Sequence, residues 1–205
     1  MSNFHEDGII ILDFGSQYTQ LIARRIREKH VYSEIMSADV SIEVIQERSP
    51  KAIILSGGPS SVYEDSSPKY DSKLFAMDIP ILGICYGLQL MAHHYNGQVK
   101  SSSHGEYGFA LINIMNSEHL FQSVSGNTQV WMSHMDRVTQ MPPGWEVMAE
   151  SSNGVVAAMG HVESKRFATQ FHPEVNHTVE GETILNNFLF KIAECSPDWT
   201  AGKFI

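Results

Sequence analysis

Cys85 lies between two glycines in the segment Gly-Ile-Cys-Tyr-Gly at residues 83–87, directly after an apolar run that begins at Ile79. The apolar run, the glycine-rich turn and the helical pattern of residues 88–92 predict a strand, a sharp turn and a helix. Hydrolases with serine at this position use such a turn to lift a nucleophile out of a sheet. A helix N-terminus favours thiolate over thiol, because main-chain N–H groups and the helix dipole stabilise negative charge. We therefore predict that Cys85 is a nucleophile and not an ordinary core residue.

His172 is the best placed partner for this cysteine among the 10 histidines of the chain. Cleavage of an amide by a thiolate requires a proton for the leaving amine, and histidine is the usual donor. His172 follows the alternating run 166–171, and the carboxyl ends of strands in a parallel sheet collect ligand sites. Glu174, two residues further on, could bind the far imidazole nitrogen and stabilise the imidazolium. The sequence thus predicts a triad of Cys85, His172 and Glu174.

A second pair of glycines follows another apolar run, in the segment Ser-Gly-Gly-Pro at residues 56–59. Glycines at a strand end let main-chain N–H groups face inward, as an oxyanion hole requires. A simple tight turn would have the same sequence, and both interpretations stay open at this point. The segment lacks the Asp-Ser of the ATP-pyrophosphatase loop, and no Walker-type phosphate loop occurs.

The first half of the chain alternates short apolar runs with amphipathic stretches. Strands are predicted near residues 8–14, 31–36, 51–55 and 80–84, helices near 17–30, 41–48 and 86–96, and a loop and a helix together near 60–77. This alternation implies right-handed crossovers and a parallel sheet. After Gly97 the runs 98–103, 109–115, 129–133, 145–151, 155–161 and 166–171 predict further strands, some antiparallel, before a closing helix at 179–194.

Composition excludes several classes of function. The chain has 205 residues, enough for one sizeable domain, and a net charge of −9 without a basic patch, which argues against a nucleic-acid partner. It has no apolar stretch long enough to span a membrane and no secretory signal pattern, so we expect no membrane partner. The two cysteines lack metal-type spacing, and we expect no metal site and a reducing, cytoplasmic location.

Several segments together resemble the class I (triad) glutamine amidotransferases, and within them the glutaminase domains of GMP synthases. The resemblance rests on Leu-Asp-Phe-Gly-Ser-Gln-Tyr at 12–18, Leu-Ser-Gly-Gly-Pro at 55–59, Gly-Ile-Cys-Tyr-Gly-Leu-Gln at 83–89, Trp-Met-Ser-His-Met-Asp-Arg-Val at 131–138 and Gln-Phe-His-Pro-Glu-Val at 170–175. It covers nearly the whole chain. It implies a three-layer α/β fold with a flavodoxin-like open mixed sheet, mostly parallel, with added antiparallel strands. Residues 1–195 would form the amidotransferase domain, and residues 196–205 would begin a linker.

The resemblance also implies a mechanism. Cys85 would attack the side-chain amide of L-glutamine, main-chain N–H groups of Gly58 and Tyr86 would hold the oxyanion, and His172, oriented by Glu174, would protonate the departing ammonia. The family positions that bind glutamine fall on Gln89, Ser133, His134 and Asp136. A carboxylate at position 136 is also reasonable in itself, because it can pair with the substrate α-ammonium.

In such enzymes the ammonia passes to an ATP-pyrophosphatase (synthetase) domain, which uses ATP and Mg²⁺ to convert XMP to GMP. That domain would be the partner of this chain, on the same polypeptide or on a separate one, and the full-length protein would be a homodimer. The resemblance implies no cofactor for this chain itself.

The family pattern is not complete in two places. Many relatives have glycine where this chain has Met135. If the backbone at this position has a positive φ, a methionine there would be strained. The family motif at Glu106-Tyr107-Gly108 is present, but the basic residue that often precedes it is not.

Two kinds of alternative function remain open from the sequence. One is the glutaminase domain of another class I amidotransferase, or a γ-glutamyl hydrolase with the same fold. The other is an inactive docking or regulatory module.

Overall fold

A computed structural model of the protein describes residues 7–204, except for the side chains of residues 103, 104, 203 and 204. The described residues form one β-sheet of nine strands. The strands are β1 (Ile9–Asp13), β2 (Ser33–Ser37), β3 (Ala52–Leu55), β4 (Ile81–Ile84), β5 (Gln98–Ile114), β6 (Asn127–Gln140), β7 (Glu146–Ser151), β8 (Val156–His161) and β9 (Arg166–Thr169).

Helices cover both faces of this sheet. The α-helices are α1 (Thr19–Glu28), α2 (Ile42–Arg48), α3 (Tyr86–His94) and α4 (Gly181–Asn186), and α4 continues as a π-helical segment, Asn187–Ile192. Short 3-10 helices lie at Ser72–Ala76, His119–Phe121 and Ala201–Phe204. Within residues 7–204, none of the helices combines the length and the apolar character needed to cross a bilayer.

The strand order is β2-β1-β3-β4-β9-β8-β7-β5-β6. The first five strands in this order are parallel, and their arrangement is that of a flavodoxin-like sheet. Strands β8, β7, β5 and β6 extend the sheet with antiparallel pairs. The predicted mixed α/β sheet with added antiparallel strands is confirmed.

The alternation of β1 shows why the sheet has a helical layer on each face. Ile9 and Ile11 belong to the hydrophobic cluster that includes α1 and α4, whereas Ile10 and Leu12 belong to the cluster that includes α2 and α3. All four side chains are fully buried. A strand that is apolar on both sides therefore predicts a central position, and burying each such side chain stabilises the fold by roughly 1.5–3 kcal/mol.

Two expectations about local structure differ from what the structure shows. The loop and helix expected together at 60–77 are a loop and the short 3-10 helix Ser72–Ala76, because the serine-rich stretch before it, which ends in Pro68, favours turns. The two strands expected at 98–103 and 109–115 form one long strand, β5. Its pairing with β6 shifts register between Ser101 and Glu106, so the polar stretch that resembles a turn is an irregularity inside a strand.

The C-terminal segment packs against the body of the protein. The N–H of Trp199 donates to the carbonyl of His30 (2.9 Å), and the Trp199 ring lies 6.0 Å from the ring of Tyr32. The assignment of residues 196–205 to the start of a linker stays a prediction. Ile205 and the side chain of Phe204 lie outside the described residues.

Candidate active site

Cys85 lies at the junction between β4 and α3, as the strand, turn and helix pattern predicts. Its backbone has φ 55° and ψ −102°, a left-handed region that costs a non-glycine residue free energy. The N–H of Cys85 donates to the carbonyl of Thr169 at the end of β9 (2.7 Å). This bond ties the turn to the neighbouring strand and holds the strained residue in place.

The glycines on either side of the turn are required by close main-chain contacts. A Cβ on Gly83 would lie 2.6 Å from the main chain of Gly87, and a Cβ on Gly87 would lie 2.6 Å from the carbonyl oxygen of Leu55. Real Cβ atoms do not approach backbone atoms this closely. Both glycines are therefore required by close contacts with the neighbouring helix and strand.

We expect Gly87→Ala to destabilise the protein by about 2 kcal/mol or more, because either α3 or β3 must shift. Gly126→Ala is a matched control, since a Cβ there meets no atom within 4 Å. Its effect should stay within about 0.5 kcal/mol. Urea denaturation of both variants measures the difference, and equal free energies of unfolding would contradict the steric explanation.

His172 and Glu174 form a buried hydrogen-bonded pair directly after β9. The imidazole Nδ1 lies 2.7 Å from Oε1 of Glu174, and the two side chains are 4% and 0% exposed. The opposite side of the ring faces the turn that carries Cys85. A Cβ placed on Gly57 would lie 3.2 Å from Cε1 of His172 and 3.5 Å from Cβ of Cys85, so the two residues flank the same point. The structure brings the three predicted triad residues together.

The electrostatics of the pair favour a protonated imidazole. Burial alone would lower the pKa of His172. The negative charges of Glu174 and Cys85, and the hydrogen bonds to both residues, outweigh burial and raise the pKa to about 10. An imidazolium beside a cysteine stabilises the thiolate. In the structure the Cys85 thiol donates to the carbonyl of Ser133 (3.5 Å), so the sulfur already points into the space that β6 borders.

These residues open into a cavity of about 730 Å³. Seven of the nine residues predicted for the site line it, namely Gly58, Cys85, Gln89, Ser133, His134, Asp136 and His172. Glu174 lies behind His172. The side chain of Tyr86 belongs to the core between the sheet and α3, which leaves only its main chain to serve the site.

The two residues predicted to form an oxyanion hole lie near Cys85: Tyr86 follows it directly, and Gly58 lines the same cavity. Tyr86 is the first residue of α3, and the first N–H groups of a helix have no partner within it. Gly58 borders the cavity, and a Cβ there would lie 2.5 Å from the carbonyl oxygen of Phe14. Only glycine fits at this position, which agrees with a loop that presents its main chain to the cavity.

The residues predicted to bind glutamine are also hydrogen-bonded to one another, through the main-chain carbonyl of Asp136. Nε2 of Gln89 donates to the carbonyl of Asp136 (3.0 Å), and both ring nitrogens of His134 have protein partners, the carbonyl of Asp136 (2.9 Å) and Glu106 (3.2 Å). Any contact between His134 and a substrate therefore falls to its main chain. Met135 does not have a positive φ, so the strain expected from its side chain is absent.

Three neighbours of the site have no role in the sequence-based prediction. The Nε2 atom of Gln170 lies 3.8 Å from the Cys85 sulfur, and its Oε1 atom accepts a hydrogen bond from Gln89 (3.4 Å). The ring of Tyr18 packs edge-on against the ring of His172, with 5.0 Å between the ring centroids. Glu106 bonds to His134. Gln170 and Tyr18 both lie inside the motifs that carry the family resemblance, which is the signal that could have found them.

No metal site is suggested by the part of the chain that the structure describes. No group of three or more His, Cys, Asp or Glu side chains there is arranged to hold an ion.

Comparison with known proteins shows the family to which the chain is similar. The family model for class-I glutamine amidotransferases matches residues 10–192. A GMP synthase (glutamine-hydrolyzing) from Brachyspira hyodysenteriae is 52% identical over 97% of this chain, and one from Campylobacter lari is 50% identical over 96%. These matches cover 39% and 38% of the relatives' own lengths, so the chain spans about two fifths of the curated relatives it matches.

Solved structures agree. The crystal structure of a Thermoplasma acidophilum protein, described as a proposed component of GMP synthase, superposes with a TM-score of 0.80 and 30% identity. That match covers 92% of this chain and 94% of the other. A glutamine amidotransferase from Thermotoga maritima superposes with a TM-score of 0.74 over 93% of this chain and 99% of its own. At 18% identity, the second similarity is one of fold alone.

Proposed function

The chain belongs to the class-I glutamine amidotransferase family, and from this premise we propose that it hydrolyses L-glutamine to L-glutamate and ammonia through Cys85, His172 and Glu174. One observation carries the proposal. His172 is held at 2.7 Å by Glu174 on one side and faces the strained Cys85 on the other, at the end of a cavity of about 730 Å³. Nucleophile, base and orienting carboxylate are thus in the order that covalent amide hydrolysis requires.

The proposed reaction has two halves. The Cys85 sulfur attacks the side-chain carbonyl carbon of glutamine, and the N–H groups of Gly58 and Tyr86 bind the oxyanion that forms. The imidazolium of His172 then gives its proton to the departing nitrogen, which leaves as ammonia and a γ-glutamyl thioester remains. His172 next takes a proton from water, the resulting hydroxide attacks the thioester, and glutamate and the thiolate are released.

We propose further that Gln89, Ser133, His134 and Asp136 bind the amino-acid end of glutamine. All four line the cavity. The carboxylate of Asp136 would pair with the α-ammonium group, while His134 would act through its main chain. The cavity is large enough for one glutamine molecule, because ligand sites of small molecules begin at about 300 Å³.

For the fate of the ammonia we propose amination of XMP to GMP. The Brachyspira and Campylobacter relatives are GMP synthases, and the chain corresponds to their N-terminal part. The remaining three fifths of those proteins would supply the partner, an ATP-pyrophosphatase region that uses ATP and Mg²⁺. Residues 196–205 would begin the connection to this region, and the full assembly would be a homodimer. The protein would work in a reducing cytoplasm, which would protect the Cys85 sulfur from oxidation.

The experiment measures glutamate release and, separately, GMP formation. We expect the chain to react at Cys85 with a glutamine-mimicking chloroketone and to hydrolyse glutamine. When the C-terminal remainder of the Brachyspira GMP synthase, ATP, Mg²⁺ and XMP are added, GMP should form from glutamine. Hydrolysis without GMP formation would favour another amidotransferase, and absence of both labelling and hydrolysis would contradict the glutaminase proposal.

A further inference from the structure

A second histidine–carboxylate pair lies in the wall of the cavity, apart from the triad. Nε2 of His134 on β6 lies 3.2 Å from Oε2 of Glu106 on β5, and the two side chains are 3% and 10% exposed. The other carboxylate oxygen, Oε1, accepts hydrogen bonds from Oγ of Ser151 and Nδ2 of Asn153, both at 2.8 Å. Glu106 is therefore held by three partners, and the mechanism proposed above does not use it.

The hydrogen bonds of His134 determine how many protons this pair must carry. Nδ1 faces the carbonyl of Asp136 at 2.9 Å, and a carbonyl can only accept, so Nδ1 carries a hydrogen. In a neutral imidazole Nε2 would then be a bare acceptor that faces a carboxylate. The contact to Glu106 is favourable only with one additional proton, either on Nε2 or on the carboxylate.

This pair lies at an irregularity of the β5–β6 pairing. Asp136 pairs with Ser101 and His134 pairs with Glu106, and the register shifts between these two pairs, with Met135 between them on β6. There the Asp136 carbonyl accepts two side-chain bonds, one from His134 and one from Gln89 (3.0 Å). Side-chain hydrogen bonds thus reinforce the main chain of Asp136, a residue that lines the cavity, at the point where the strand register shifts.

We propose that Glu106 is a positioning residue for the glutamine site, acting through His134 and one shared proton to fix the main chain of Asp136 where its carboxylate meets the substrate α-ammonium. The inference rests on the proposed glutaminase function and deepens it. Glu106 does not line the cavity, so its effect is on substrate binding and not on the chemical steps at Cys85.

The proton on the pair is lost as the pH rises. The pKa of His134 is lowered from its ordinary value of 6.5, mainly by burial and also by the charge of His172. The Asp136 carbonyl and Glu106 oppose this lowering but do not cancel it. The ionisable groups around the ring are Glu106 on β5, Asp136 on β6, His172 after β9 and, across the cavity, Cys85 at the start of α3. Once the proton leaves, the Nε2 lone pair and the carboxylate repel, and the hold on Asp136 weakens.

Two substitutions at position 106 separate the shared proton from the hydrogen bond itself. In Glu106→Gln the amide can donate to the bare Nε2 without any additional proton, so the contact persists at high pH. Because the pKa of His134 is lowered from its ordinary value of 6.5, the protonated pair is tested at pH 5. The ratio of the Glu106→Gln KM for glutamine to the wild-type KM should be near one at pH 5 and fall several-fold by pH 8. In Glu106→Ala the contact is absent, so the ratio should be about tenfold at pH 5, one net hydrogen bond, and approach one at pH 8.

Ratios to the wild type at each pH cancel the titration of the substrate and of His172. Both variants should keep kcat within about threefold, and Glu118→Gln, whose side chain is 79% exposed, is the matched control with ratios of one throughout. Thermal melting shows that the variants fold, and ¹⁵N NMR of His134 supplies a second readout. It should show Nδ1 protonated at every pH and a proton at the Glu106–Nε2 contact that disappears as the pH rises.

A wild-type KM for Glu106→Ala at pH 5, a loss confined to kcat, or a Glu106→Gln ratio that does not change with pH would overturn the inference. So would a His134 ring protonated at Nε2 and bare at Nδ1. Wild-type protein that hydrolyses no glutamine would instead contradict the proposed function, and the positioning role would fall with it. The two failures are distinguishable because only the second appears in the wild-type protein.

Discussion

Replacement of Cys85 by alanine is expected to lower the rate of glutamine hydrolysis by about a thousandfold or more, because the covalent route through a thioester is removed. The fold should survive the change. The left-handed backbone at residue 85 strains alanine about as much as cysteine, and the main-chain bond to Thr169 that holds it does not involve the side chain. Steady-state ammonia release and labelling by a glutamine-mimicking chloroketone measure the effect.

Cys195 provides the matched control within the same chain. It is the second of two free cysteines and is also buried, and burial raises the pKa of its thiol to about 12. It is therefore protonated at neutral pH and unreactive, so Cys195→Ala should keep activity and labelling. Full hydrolysis by Cys85→Ala, or loss of labelling in Cys195→Ala, would show that the nucleophile is assigned to the wrong residue.

The triad can be predicted because its determinants are local in sequence. The glycines at positions 83 and 87 indicate a tight turn around Cys85. Glu174 follows His172 by two residues, which is close enough for a hydrogen bond between their side chains. The parallel half of the sheet is equally predictable, since fully apolar runs such as β1 can only be buried on both faces. The one fact that local patterns do not provide is the adjacency of β4 and β9, which brings Cys85 to His172.

The remainder of the site depends on contacts between distant strands. Glu106 and His134 are 28 residues apart, and they meet only because the pairing of β5 with β6 places them opposite each other. A polar stretch of serine, histidine and glycine gives the pattern of a turn, so the sequence predicts two strands where β5 is one. Gln170 reaches the Cys85 sulfur from a residue 85 positions away. Such contacts between distant polar residues produce no periodic pattern in the sequence, whereas the apolar face of a strand or helix does.

The second large effect is expected for Glu174→Gln. Glutamine can still accept a hydrogen bond from Nδ1 of His172, but it removes the negative charge that opposes the burial of the imidazole. The pKa of His172, about 10 in the wild-type protein, should therefore fall, and the ring should be neutral at pH 7. A neutral ring cannot protonate the leaving nitrogen, so kcat should fall by roughly a hundredfold or more. Glu182→Gln, on an 80% exposed side chain, should leave kcat unchanged.

The same change should remove a pH-dependent contribution to stability whose sign is defined. The pKa of His172 in the folded protein, about 10, is above its ordinary value of 6.5, so the folded state holds the proton more tightly than the unfolded state. The stability that this gives the wild-type protein is fully present below pH 6.5 and is lost as the pH rises through about 10. Glu174→Gln lacks it, so the free-energy difference between wild type and variant should be largest near pH 6 and shrink by pH 9.5. A difference that stays constant between these two values, measured by urea denaturation, would mean that Glu174 holds His172 by geometry alone and not by charge.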